Sequence, residues 1–263
     1  MGKIEKLILQ YSGRGMDLLR PHLSENFCID TAAAILNWKR GPVIMVTGFY
    51  VAGHAETDGP PGTRFLAEAL ADCGFSPVIV TDEPCRGYFE RFGIPVRYLD
   101  ANMEERTIRE LLQEIAPVGM ISVERCGENI HGDYANMRGV SIAANTAPLD
   151  KLFVMADCPT VGIGDGGNEI GMGNLAKEIA EKLSLVPCKT CVDHLMIATV
   201  SNWGAMGLAA ALGWLPDETS FMQAYEVACE LGHVDGITKR CELGEDGFSL
   251  DVGLRLLNEL KYL

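Results

Sequence analysis

Short apolar runs alternate with longer amphipathic segments through the first half of the chain, and this alternation constrains the fold most. Four runs predict buried strands, at 43–47, 77–81, 95–99 and 118–123. Two of the segments between them, 63–74 and 103–115, have the apolar spacing of helices. Parallel strands need such crossovers, so we predict an α/β fold with a doubly wound, mostly parallel sheet flanked by helices. Glycine-rich loops are expected at the carboxyl ends of its strands, where ligands bind in such sheets.

The rest of the chain predicts two units and no linker between them. Residues 1–40 predict an N-terminal helical segment, and 41–263 predict a single compact α/β domain that begins at Gly41-Pro42. The uncharged stretch 195–216 is long enough to span a bilayer. Its Ser201 and Asn202 and its several glycines favour a buried core helix instead, so we expect no membrane partner.

The net charge of the chain limits the classes of partner that it can bind. The 263 residues carry 22 Lys and Arg against 36 Asp and Glu, a net charge of −14. So acidic a chain repels phosphate backbones, and we expect no nucleic-acid partner.

Nine cysteines without a disulfide framework, and no signal peptide at the start, predict a cytoplasmic protein.

Polar residues follow two of the predicted strands. The glycine- and proline-rich segment 48–62 carries Glu56 and Asp58 and leads into a helix, an arrangement that suits an anion or, with two acids present, a cation. The segment 122–139 begins with Glu124 and Arg125 at the carboxyl end of a strand. Active sites collect at that edge of a parallel sheet, although capped turns and surface ion pairs would also explain these residues.

The segment 160–174 contains six glycines and a set of oxygen ligands. Asp165, Asn168 and Glu169 are hard donors of the kind that Mg²⁺ and Mn²⁺ prefer, although a turn capping the next helix is the alternative. Gly162-x-Gly164-x-x-Gly167 matches a dinucleotide fingerprint formally, but acids lie where a pyrophosphate would approach. We therefore expect no nucleotide cofactor.

A further motif combines cysteine and histidine. Cys188, Cys191 and His194 follow one another at intervals of three residues. This spacing is typical of half a zinc site, but a fourth ligand is not evident. A redox-active cysteine pair and ordinary thiols are the alternative interpretations.

Several of these segments together resemble the D-glutamate cyclase family. The resemblance extends in order from about residue 41 to beyond residue 238, and its blocks are ETDGPPG (56–62), SVERCG (122–127), DYANMRG (133–139), GIGDGGNEIGMG (162–173), SNWG (201–204) and VDGIT (234–238). It implies a hydro-lyase that converts D-glutamate to 5-oxo-D-proline and water. The expected partner is then a small anionic amino acid.

The resemblance suggests roles for the polar residues. We expect a divalent metal, Mg²⁺ or Mn²⁺, at Asp58, Glu124, Asp165 and Glu169, of which the last three are the candidate catalytic residues. Glu124 or Glu56 is a candidate proton shuttle, and Arg125 or Arg138 would clamp the α-carboxylate. The candidate substrate-binding residues are Thr47, Gly48, Arg125, Asn136, Arg138, Asn168 and Asn202.

Other functions use the same residue types. A metal-dependent hydrolase of a small phosphorylated or amide compound needs the same acids, with a metal-bound water as nucleophile. A protein that binds an amino acid without turnover is a third possibility. A homo-oligomer is possible in each case.

Overall fold

A computed structural model describes residues 1–263, and its strands form one large sheet and two small hairpins. The ten strands are, in chain order, β1 (Pro42–Thr47), β2 (Tyr50–Val51), β3 (His54–Ala55), β4 (Ser76–Thr81), β5 (Val96–Tyr98), β6 (Gly119–Val123), β7 (Thr160–Gly164), β8 (His194–Ile197), β9 (Gly244–Glu245) and β10 (Phe248–Ser249). The large sheet has the order β5-β4-β1-β6-β7-β8, and every neighbouring pair is parallel. This confirms the predicted α/β fold with a parallel sheet.

The order of these strands locates a binding edge. Counted along the chain within this sheet alone, the order is 3-2-1-4-5-6, the doubly wound arrangement. The chain reverses its direction of winding between β1 and β6, which are neighbours. Ligands in such sheets bind beyond the carboxyl ends of the two strands at this switch point.

Ten α-helices surround the sheet. They are α1 (Lys3–Ile8), α2 (Met16–Leu19), α3 (Phe27–Leu36), α4 (Pro60–Asp72), α5 (Glu105–Ile115), α6 (Asp150–Met155), α7 (Ala176–Lys182), α8 (Ser201–Ala211), α9 (Glu218–Glu230) and α10 (Leu250–Lys261). Helix α8 contacts α1, α3, α4 and α10, and α5 contacts α6. Helix α8 is buried along most of its length, which explains why its sequence is apolar on every side.

The apolar stretch 195–216 was wrongly predicted as one helix. Its first part belongs to β8, and α8 begins only at Ser201. A parallel strand covered on both faces is continuously apolar, so hydrophobicity alone does not distinguish it from a buried helix. None of the helices combines the length and the apolar character that crossing a bilayer requires.

Helices α1 to α3 lie within the first 40 residues, and they share the core of the rest of the chain. Ile4 and Ile8 of α1 pack so closely on Gly207 of α8 that a Cβ at this glycine would lie 2.9 Å from Ile8 Cγ2. One cluster of 58 buried residues includes side chains from α1 to α3 and from β1, β4, β6, β7 and β8. The N-terminal helices are therefore part of a single hydrophobic core.

His233, just after α9, makes stability depend on pH. It is 1 % exposed, its ring centroid lies 5.4 Å from that of Tyr88, and neither ring nitrogen makes a hydrogen bond of ordinary geometry. Burial lowers the pKa of His233 from 6.5 to about 4, because the charged imidazolium is poorly solvated there. The unfolded chain therefore binds a proton at a higher pH than the folded chain.

We expect this histidine to destabilise the protein in acid. As pH falls from 6.5 towards 4, the unfolded state gains the proton first, and about 3 kcal/mol of stability is lost. The variant His233→Phe should lack this component, which urea unfolding of both proteins at pH 7.0, 5.5 and 4.5 would measure. Equal losses in the two proteins would contradict the prediction, whatever the other titrating groups contribute.

Candidate functional site

Carboxylates from distant parts of the chain meet at the switch point of the sheet. Glu124 directly follows β6, Asp165 directly follows β7, and Asp58 lies between the β2–β3 hairpin and α4. One oxygen each from Glu124, Asp165 and Glu169 lie within 4.8 Å of one another, and the same holds for Asp58, Asp165 and Asp246. Asp165 belongs to both groups, so it occupies the centre of the cluster.

The N-terminus of α8 holds two of these acids in place. Ser201 N donates to Asp58 Oδ2 at 2.9 Å and to Asp165 Oδ2 at 3.1 Å, and Asn202 N donates to Asp58 Oδ1 at 2.7 Å. The first amides of a helix have no partner within the helix, and the helix dipole favours negative charge at this end. Helix α8 therefore orients Asp58 and Asp165 towards each other.

The two glutamates are held by tight local structure. Glu169 accepts hydrogen bonds from Gly166 N at 2.8 Å and from Gly167 N at 2.7 Å, so the turn closes on its own side chain. Glu124 has a positive φ of 45° and accepts a hydrogen bond from Ser201 Oγ at 2.6 Å. A residue other than glycine at positive φ is strained, and such strain is concentrated at functional sites.

Burial disfavours the ionised form of the carboxyl groups in this cluster. Desolvation is the main cause of the shifts, and neighbouring carboxylates add to most of them. The carboxyl groups whose pKa values are raised are Glu56, Asp58, Glu124, Asp165 and Glu169. Burial also raises the pKa of the nearby Glu245 to about 7. A cation placed among these groups would relieve the repulsion between them.

Arg14, which sequence analysis missed, supplies a positive charge at the centre. Its Nη2 atom donates to Asp165 Oδ2 at 2.5 Å, to Thr199 O at 3.0 Å and to Asp246 Oδ2. The arginine lies in the turn between α1 and α2, flanked by glycines on both sides. The N-terminal segment thus contributes directly to the site.

A cavity of about 290 Å³ opens above the carboxylates. Acidic and basic side chains share its wall: Arg14, Glu56, Glu124, Arg138, Glu169, Lys239 and Asp246. Arg138 and Lys239 are exposed at the rim, whereas Glu56, Glu124 and Glu169 are buried at the floor. The cavity therefore combines an acidic floor with a cationic entrance.

A larger cavity of about 590 Å³ lies beyond the ends of β4 and β5. Its acidic wall residues, Asp82, Glu83 and Asp100, form no cluster able to share an ion. The smaller cavity is lined by three of the carboxyl groups with raised pKa values, Glu56, Glu124 and Glu169, and we therefore take it as the candidate site.

Three predicted substrate-binding residues line the smaller cavity, and two lie behind it. Asn136, Arg138 and Asn168 are wall residues. Asn168 is 4 % exposed, its Nδ2 donates to Ala135 O at 2.8 Å, and its Oδ1 has no partner. Thr47 is fully buried at the end of β1, and Gly48 contributes a carbonyl that accepts from Arg125.

Two predicted substrate contacts have structural partners instead. The guanidinium of Arg125 is buried and donates to Asp82 Oδ2 at 2.6 Å and Gly48 O at 2.8 Å, away from the cavity. Asn202 is fully buried, and its Oδ1 accepts from Gly59 N and Gly62 N. Its Nδ2 donates to Thr57 O and Glu245 Oε2, which leaves the amide no free group for a substrate.

The cysteine and histidine motif is not assembled into a metal site. Cys188 is buried and Cys191 is exposed, and His194 begins β8. The two groups of side chains that are close enough to share an ion contain none of these three. The motif therefore does not form half of a zinc site.

Asp246, a member of one ligand group, was also missed by the sequence analysis. It lies in the turn of the β9–β10 hairpin at a φ of 51°, and its Oδ1 has no hydrogen-bond partner. The short acidic string GEDG at 244–247 was its only signal in the sequence. Nothing in that string indicates that the hairpin folds over the sheet edge.

Two comparisons with known proteins give partial matches to this chain. The human mitochondrial D-glutamate cyclase is 28% identical in an alignment 198 residues long, which covers 65% of this chain and 32% of that protein. The match thus spans about a third of the relative's length. The ligand-free aldohexose dehydrogenase of Thermoplasma acidophilum is 15% identical, with a TM-score of 0.26 over 48% of this chain and 50% of that one. A score this low carries no structural argument.

The family comparison covers almost the whole chain. The model of the family described as D-glutamate cyclase-like, C-terminal, matches residues 4–261. This range includes Arg14 and every carboxylate of the cluster. The chain therefore belongs to the D-glutamate cyclase-like, C-terminal family.

Proposed function

We propose that the chain is a hydro-lyase that cyclises D-glutamate to 5-oxo-D-proline and water with the help of a divalent cation. The observation that carries the proposal is the convergence of buried carboxylates from distant segments on one cavity. The comparisons suggest the reaction, since the family is described as D-glutamate cyclase-like and a relative is named for this activity. The residues of the cavity match the demands of that reaction.

The reaction sets three demands. The amine nitrogen forms a bond to the side-chain carboxyl carbon, one carbon–oxygen bond breaks, and the oxygen leaves as water with two protons from the ammonium. The site therefore needs a proton acceptor at the amine, positive charge at the carboxylate, and a proton donor at the leaving oxygen. The site must also hold the amine and the side-chain carboxyl group of one substrate molecule close together, which itself accelerates the reaction.

The donor set fits a divalent cation. Both ligand groups consist of carboxylate oxygens, the ligands that Mg²⁺ and Mn²⁺ prefer. The unpartnered Asp246 Oδ1 and Asn168 Oδ1 are buried acceptors at the same place, and such atoms are costly unless a donor or cation satisfies them. We propose Asp165 with Glu124 and Glu169, or with Asp58 and Asp246, as the ligands. A bound cation would polarise the substrate's carboxylate.

Glu56 is the carboxyl group that remains for proton transfer. It lines the cavity but belongs to neither ligand group. A Cβ at Gly236 would lie 1.6 Å from Glu56 Oε1, so a larger residue there would displace this carboxyl group from its position. Glu56 would accept a proton from the amine and return it to the leaving oxygen, while Arg138 and Lys239 attract the anionic substrate at the rim.

The direct test is turnover of D-glutamate. We expect 5-oxo-D-proline, detected by chromatography, when the protein is incubated with D-glutamate and Mn²⁺ or Mg²⁺. Removal of the cation with EDTA should abolish the product, and its return should restore it. The matched control is L-glutamate, which presents its amine on the opposite face.

Three outcomes would contradict the proposal. D-glutamate that binds without forming the lactam would indicate a protein that binds amino acids only. Hydrolysis of small phosphate esters or amides, without lactam formation, would indicate a metal-dependent hydrolase that uses the same carboxylates. Formation of the product at the same rate in EDTA would show that the reaction does not need a divalent cation.

A further inference from the structure

Arg14 occupies the place where a cation would bind. Its guanidinium contacts Asp165 and Asp246, one acid from the centre of the cluster and one from the β9–β10 hairpin. Asp165 belongs to both groups of possible metal ligands. A cation in either group therefore binds the carboxylate that now pairs with Arg14. The cation and the guanidinium would compete for this carboxylate, because two positive charges placed side by side repel each other.

We propose that a divalent cation displaces Arg14 from Asp165, and that the released guanidinium becomes the receptor for a substrate carboxylate. This inference rests on the proposed function, because it assumes the metal site described there. It assigns Arg14 the role that Arg125 or Arg138 was expected to fill. The cation thereby converts an internal ion pair into an anion-binding site.

The position of Arg14 permits this exchange. The side chain is 22 % exposed and already forms part of the cavity wall, so a small rotation turns the guanidinium towards a ligand. The turn at 9–15 is anchored just before Arg14, where Thr199 N and Thr199 Oγ1 donate to Ile8 O and Gln10 O. Gly13 and Gly15 flank the arginine, and Gly15 has a φ of +84°. The backbone can stay in place while the side chain moves.

Electrostatics explains why an anion needs this residue. The cavity floor is made of carboxylates, which repel a dicarboxylic amino acid. Arg14 is the one cationic side chain that reaches this floor, since Arg138 and Lys239 lie exposed at the rim. A guanidinium also binds a carboxylate through two parallel hydrogen bonds, a geometry that a lysine cannot reproduce.

The exchange makes two binding events cooperative. With no cation bound, Asp165 and Asp246 compete with the anion for Arg14. With the cation bound, that competition is removed, and the bound anion in turn keeps Arg14 away from the metal ligands. By thermodynamic linkage, the anion strengthens cation binding by the same factor by which the cation strengthens anion binding.

Calorimetric titration of the full chain tests this coupling. We would titrate Mn²⁺ with and without saturating glutarate, a five-carbon dicarboxylate that has no amine and cannot cyclise. In the wild-type protein we expect glutarate to tighten Mn²⁺ binding about tenfold, and Mn²⁺ to tighten glutarate binding equally. In Arg14→Gln, Mn²⁺ alone should bind at least as tightly as in the wild type, and the coupling factor should fall to about one.

Two further variants serve as controls. Arg106→Gln removes the same charge from an exposed position on α5 and should keep the wild-type coupling. Arg14→Lys keeps the charge, so it protects the fold if the glutamine variant does not fold, and it should lose most of the coupling. Wild-type coupling near one, or coupling that survives in both Arg14 variants, would overturn the role of Arg14. Absence of Mn²⁺ binding in every protein would instead overturn the metal site, and this proposal with it.

Discussion

Asp165→Asn is expected to abolish cation binding and lactam formation while leaving the protein as stable as before, or more stable. Asp165 belongs to both possible ligand groups, so no alternative set of three carboxylates survives its loss. We expect Mn²⁺ affinity to fall by more than about 100-fold. The rate of D-glutamate cyclisation should fall by about 1000-fold, as on removal of other preorganised electrostatic groups.

The expected gain in stability has the same physical origin. Burial and neighbouring carboxylates raise the pKa of Asp165, whereas Arg14 opposes the shift only in part. A neutral amide of the same shape removes repulsion within the cluster and still accepts the hydrogen bond from Ser201 N. Thermal unfolding of Asp165→Asn without added cation should therefore occur at the wild-type temperature or above it. The wild-type aspartate would then lower stability in exchange for function.

Asp72→Asn is the matched control for this prediction. It removes the same charge from an exposed position at the end of α4, and it should leave cation affinity and turnover unchanged. Calorimetry with Mn²⁺, chromatography of the product and a thermal melt give the three readouts. An Asp165→Asn protein that still binds Mn²⁺ at wild-type affinity would contradict the assignment.

Asn202→Ala is expected to destabilise the fold severely. The side chain links the start of α4 to the start of α8, and it is fully buried. Its removal leaves Gly59 N, Gly62 N and Thr57 O without their partner. An unsatisfied buried polar group costs roughly 1 to 3 kcal/mol, so we expect a loss of about 4 kcal/mol in the free energy of unfolding.

Urea unfolding measures this loss, and Asn258→Ala is the control. Asn258 makes a single exposed hydrogen bond to Glu218, so its removal should change stability by less than about 0.5 kcal/mol. The measurement also tests the earlier assignment of Asn202 to the substrate. A variant that keeps its stability but binds D-glutamate weakly would restore that assignment and contradict the structural role.

The sheet could be predicted because its strands leave a local signal, whereas their order could not. Each apolar run between helices identifies a strand, and the length of the crossovers makes the strands parallel. The neighbours of β1 are instead decided by packing between distant segments. Strand β8 was missed because its apolar run continues into the equally apolar α8.

The carboxylate cluster was partly predictable for a topological reason. Residues that follow parallel strands collect at one edge of the sheet, and Glu124 and Asp165 both do so. Arg14 lies 151 residues from Asp165 in sequence, and no local pattern indicates such a contact. Arg125 shows a further limit, because a sequence identifies a guanidinium but not the direction in which it points. Neighbouring residues at a strand end face opposite sides, and Arg125 faces Asp82.

The contact between Asn202 and the start of α4 has a consequence for which ligands this topology can accept. In doubly wound folds that bind dinucleotides, the helix after the first strand directs its free amides at a pyrophosphate. Here the amides of Gly59 and Gly62 already donate to the side-chain oxygen of Asn202. A phosphate at this position would have to expel an internal amide whose other half is bound to Glu245. The backbone amides that would bind a pyrophosphate in such a fold instead join α4 to α8 through the side chain of Asn202.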